Sequence, residues 1–77
     1  MNAEAIKTWL EKRPFEPFRV TASSGEHFDV RHPEMGWVTH RELLVGISER
    51  DGIPGRYKTI SLMHITALEP LDPAQKP

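Results

Sequence analysis

Cysteine is absent from the 77 residues, which excludes disulfides and thiolate metal sites. The commonest staple of a small domain is therefore missing. A chain of this length buries only roughly 60% of its unfolded surface. Without a staple, it has more to gain than a longer chain from binding a partner or a second copy of itself. Long apolar runs are missing too, since no stretch approaches the ~20 residues that a helical membrane span requires. The segment Met1-Asn2-Ala3-Glu4-Ala5 has neither the basic start nor the apolar run of a secretory signal. A soluble, cytoplasmic protein is the expectation, and the lack of cysteine agrees with it.

Charge of one sign is equally scarce. Ten basic and 11 acidic residues give a net charge of −1. A non-specific nucleic-acid binder takes most of its affinity from phosphate neutralisation and is strongly basic, so only a local basic face is left open. Catalytic signatures are missing as well. No serine stands in a nucleophile motif, and neither His-Glu-x-x-His nor a phosphate-binding glycine loop occurs. The expectation is a protein that is not an enzyme and carries no cofactor.

What the chain does have is periodicity. Asn2 is a helix cap, with Glu4 in the first turn where the helix dipole favours an anion. Ile6, Trp9 and Leu10 form one apolar stripe, and Pro14 should end the helix near Lys12. So short a helix is stable only if its stripe docks on something. Phe15 and Phe18 flank Pro17 and plug the core. From Phe18 the period becomes two: Phe18, Val20 and Ala22 face one way, Arg19, Thr21 and Ser23 the other. Gly25 marks a turn, after which Phe28 and Val30 continue the inward face.

Pro33 cannot donate to a ladder, so the strand should bend, bulge or end there. Strand character resumes at Trp37–His40, and Leu43, Val45 and Ile47 form the next apolar face. Asp51-Gly52-Ile53-Pro54-Gly55 reads as a loop. Tyr57–Leu62 follows with Ile60 and Leu62 inward, then one helical turn at Leu62–His64 and a last strand at Ile65–Leu68. The expected fold is mainly β with one N-terminal helix and about five antiparallel strands. These would form a small barrel or roll, with the helix over one open end. One domain should cover residues 1–71, and 72–77 should be a disordered tail.

This order of elements resembles the Sm-like proteins, a class of SH3-like barrels. Ala5–Arg13 leading into Phe18–Gly25 is similar to the helix and first hairpin of the bacterial Sm-like RNA chaperones. Met63–Pro70 is similar to their closing strands. There the resemblance implies RNA contact by a Lys-His pair; this chain has Met63-His64, so His64 alone carries over. The run Arg13-Pro14-Phe15-Glu16-Pro17-Phe18, with Gly25, Phe28, Val30 and His32-Pro33-Glu34, also resembles a group of short bacterial proteins. That second resemblance implies fold boundaries rather than an activity.

Several residues are candidates for a site, each with a structural reading beside it. His27 and Asp29 alternate outward and could face one cation, but a zinc site needs a third or fourth ligand; a solvated face with a weak cross-strand ion pair is the preferred reading. His32 has the inward parity of Phe28 and Val30. It could be an imidazole held by Glu34 or a backbone carbonyl for acid–base work, but the preferred reading is a satisfied histidine closing the barrel's end. Trp37 and Tyr57 are left over by the inward pattern. With Arg31, Arg41, Arg56 and Lys58 they could make a surface for base stacking and phosphate contact, or a protein interface, while core burial serves Trp37 as well.

The leading expectation is a non-catalytic interaction module acting through protein contacts or self-association. A weak Sm-like RNA binder using His64, Arg41, Arg56 and Lys58 comes second. A small metal-dependent enzyme is a distant third.

Overall fold

Asn2 caps the helix as its type suggests, its side-chain oxygen accepting from the Ala5 N–H at 2.9 Å. The computed structural model describes residues 1–50 and 53–71, and of 48–50 the backbone. Helix α1 spans Ala3–Leu10 and closes on Glu11, slightly before Lys12. Its stripe faces inward: Ile6 and Leu10 are buried, and half-buried Trp9 packs its ring 5.3 Å from that of Phe18. The Lys12 ammonium lies 4.2 Å over the Trp9 ring, sheltering its outer face.

Six strands follow: β1 (Phe18–Ala22), β2 (His27–Val30), β3 (Gly36–Val38), β4 (Glu42–Arg50), β5 (Ile53–Ser61) and β6 (Ile65–Pro70). They form two three-stranded antiparallel sheets, ordered β2-β1-β6 and β3-β4-β5. Alternation in β1 is as the period demands, with Phe18, Val20 and Ala22 buried. Gly25 has a φ of +93°, the left-handed turn that favours glycine, between β1 and β2.

Two expectations are corrected here. The strands number six rather than about five, and of the outcomes open at Pro33 the chain takes the ending. It breaks at Val30 and makes a one-turn 3₁₀ helix over Pro33–Met35, then restarts as β3 in the other sheet. Proline has no N–H to offer a ladder but suits the first turn of a helix. Consequently the described residues make two separate ladders, and no strand pairing closes them into a barrel.

The second correction concerns β5, which starts at Ile53 rather than Tyr57. Pro54 and Gly55 belong to it because register shifts between Ile47 and Arg50 accommodate them on an edge strand. Asp51, Gly52 and the tail 72–77 lie outside the described residues.

Both sheets and the helix share one core. Phe18, Val20, Val30 and Ile65 come from the first sheet, Leu43, Val45 and Ile60 from the second, and Ile6 and Leu10 from α1. Gly36 lets α1 approach β3: a Cβ there would sit 2.8 Å from a Leu10 methyl. No helix among the described residues is long and apolar enough to cross a membrane.

Candidate functional site

Parity decides which side chains can share a surface. In the second sheet, Trp37 lies opposite Leu44 and Leu44 opposite Thr59, while Tyr57 lies opposite Gly46. Trp37, Leu44, Thr59 and Tyr57 point to the face away from the core. Trp37 is on β3 and Tyr57 on β5, the two strands that flank β4. Their rings nonetheless meet, centroids 5.3 Å apart and planes at 70°, an edge-to-face pair. Gly46, on the strand between, makes room for other neighbours: a Cβ there would sit 3.0 Å from Pro54 Cβ and 3.1 Å from Met35 Cε. Trp37 remains 40% exposed and Tyr57 58%. Core burial, one reading of Trp37, is thus not its role.

The basic residues do not join this pair. Arg56 lies opposite Ile47 and Lys58 opposite Val45, so both project from the other face of β5, on the core side. The alternation of Arg56 and Lys58 with Tyr57 was a sequence signal that could have separated them. Arg41 sits in the β3–β4 turn, where its carbonyl accepts from the Leu62 N–H. Its neighbours around a groove there are Met1, His40, Ser61, Leu62 and Met63.

His64 closes the one-turn helix Leu62–His64. Its carbonyl accepts from the Ser23 N–H at 2.7 Å, and its Nδ1 lies 3.4 Å from Ser23 Oγ. With Lys58, Ser23, Ser24 and Glu26 it lines a hollow of about 240 Å³. One histidine and one lysine of the expected basic set therefore share a hollow, with a carboxylate beside them.

His32 is exposed, contrary to its parity, because β2 ends before it and Met35 takes the inward place. Its carbonyl accepts from the Met35 N–H. Glu34 is exposed as well, and neither side chain makes a hydrogen bond among the described residues. The pairing of His32 with Glu34, the lesser of the two readings of His32, is not formed among the described residues.

A different grouping appears beside His32. The short strand β3 pairs with β4 only as far as Val45. Beyond it β4 has no neighbour on that side, and β2 is the free edge of its own sheet. Between them lies a cleft of about 470 Å³, lined by His27, Phe28, Asp29, Arg31, His32, Met35, Val45, Gly46 and Ile47.

Asp29 is the fixed point of its rim. Arg19, opposite it on β1, holds both carboxylate oxygens, and Arg31 reaches one of them at 3.4 Å. The hydrogen bond from Arg19 above all holds the Asp29 carboxyl below its usual range. Partial burial opposes this, and the charges of Arg19, Arg31 and His27 add to the lowering. Sequence reasoning grouped His27, Asp29 and Arg31 on one strand but had no register with which to name Arg19. Among the described residues no cluster of three His, Asp or Glu side chains is placed to hold a metal ion.

No protein-family model, curated protein or solved structure matches the chain.

Proposed function

We propose that this chain is a non-catalytic interaction module that self-associates through the outer face of β3-β4-β5. The observation that carries the reading is the Trp37–Tyr57 pair, two aromatics left 40% and 58% exposed on the side away from the core. Tryptophan and tyrosine are the residues in which interface energy concentrates, at roughly 2 kcal/mol or more for a well-packed anchor. The centre of the face, with Leu44 and Thr59, carries no charge, so two copies can meet there without repulsion. Small size and the missing cysteine staple favour association on general grounds.

Sedimentation and native mass spectrometry over a range of concentrations test this. A dimer that is lost when both aromatics are replaced by alanine supports the proposal. A monomer throughout overturns it.

RNA binding of the Sm-like kind is the second reading, favoured by the shared hollow of His64, Lys58 and Ser23. The reading requires salt-sensitive binding to single-stranded RNA. A fluorescence-anisotropy titration at low salt that stays flat ends it.

A further inference from the structure

The cleft between β2 and the unpaired part of β4 has a composition that calls for a ligand of its own. Its floor is apolar, made by Phe28, Met35, Val45 and Ile47, and its rim is polar, made by His27, Asp29, Arg31 and His32. The rim holds a guanidinium that its partner binds only loosely. Asp29 already receives Arg19 at 2.8 and 3.3 Å, on both oxygens. Arg31 makes a single longer contact at 3.4 Å and keeps half its side chain in solvent. Arg19 also lies opposite Glu69 on β6, whose charge acts on it, so Arg31 is the loosely held guanidinium among the lining residues. Among the described residues His32 adds an imidazole with no hydrogen-bond partner, and His27 one with a single 3.4 Å contact to Thr21.

We propose that this cleft binds a small carboxylic acid with an apolar body, its carboxylate on Arg31 and the two imidazoles, its body on Phe28, Met35, Val45 and Ile47. A guanidinium fork matches a carboxylate in charge and shape. The volume, about 470 Å³, is within the usual range of small-molecule sites, roughly 300–1,000 Å³. An amine of the same shape gains the floor but meets the Arg31 guanidinium at the rim, a like charge. Neither Trp37 nor Tyr57 lines the cleft, so this proposal stands apart from self-association.

The test is a proton–nitrogen correlation NMR titration of the full chain with octanoate below its micelle concentration, and with octylamine as the charge-reversed control. Octanoate is expected to shift the amides of His27–His32 and Val45–Ile47 saturably, and octylamine to leave them in place. Arg31→Gln, at an exposed position outside the core, should keep the spectrum of the folded protein and weaken octanoate binding about tenfold, the loss expected for one charge-assisted hydrogen bond. The proposal is overturned if octanoate produces no saturable shifts, or shifts centred elsewhere. Equal binding of octylamine, or unchanged affinity in Arg31→Gln, overturns it too.

Discussion

Arg19 and Asp29 face each other across β1 and β2, the guanidinium Nε 2.8 Å from Oδ1 and Nη2 3.3 Å from Oδ2. The pair lies on the outer face of the first sheet, with Arg31 as a third and looser member. It ties the edge strand β2 to the centre of its sheet, and its consequence is a dependence on pH.

Because the folded protein holds Asp29 below its ordinary range, the carboxylate stabilises the fold above the unfolded value of about 3.9. That contribution is lost as pH falls through the lower folded value. Asp29→Asn should therefore destabilise the protein near neutrality and make no difference once both forms are fully protonated in acid. Urea unfolding of both proteins at a series of pH values checks it. A gap that stays constant with pH would count against the ion pair.

Trp37→Ala and Tyr57→Ala should separate association from folding. Both side chains are exposed, so thermal unfolding should report no more than about 1.5 kcal/mol, the upper range for an aromatic pair. Sedimentation of the same variants should report the loss of the dimer. A large loss of stability without change of mass would mean that the pair serves the fold.

Gly36 is where α1 and β3 touch. Gly36→Ala would drive a Cβ to 2.8 Å from the Leu10 methyl, and Leu10 is buried with little room to turn away. The expected cost is about 1–3 kcal/mol, the range for overpacking a closed site, read as a lower urea midpoint. Wild-type stability in this variant would show that the helix shifts freely on the sheet.

Ile6 is 0% exposed in the centre of the stripe. Ile6→Ala should cost about 2–5 kcal/mol, a large share of the roughly 5–15 kcal/mol that a typical domain has. Circular dichroism should then show a protein partly or wholly unfolded at room temperature. Retention of a cooperative transition near that of the wild type would mean that the helix is not essential to the core.

Much of the fold is visible in the order of residues, for local reasons. Asn2 caps because its side chain reaches a backbone N–H three residues on, and Ile6, Trp9 and Leu10 align because a helix turns every 3.6 residues. Phe18, Val20 and Ala22 alternate because a strand does. The break at Pro33 was legible as a break but not as a change of sheet. His32 was misjudged for that reason: parity carries only as far as the strand, and the strand stops at Val30.

The candidate surfaces are a harder case. Trp37 and Tyr57 stand out as aromatics without an inward place, but their meeting depends on three strands lying in register. Arg56 and Lys58 were grouped with them because all are exposed types, although alternation along β5 sends them to the opposite face. Arg19 reaches Asp29 only through the register of β1 on β2, which no spacing in the chain reveals.

The sequence by itself determined the helix and its buried stripe, the alternation of the strands and the turn at Gly25, since each depends on neighbours a few residues away. Tertiary structure decided that six strands form two sheets rather than one closed ladder. It also decided that Trp37 meets Tyr57 and that β2 and β4 leave a cleft between them. Those relations join residues far apart in the chain, and they are set by which strands pair, in which register, around a common core.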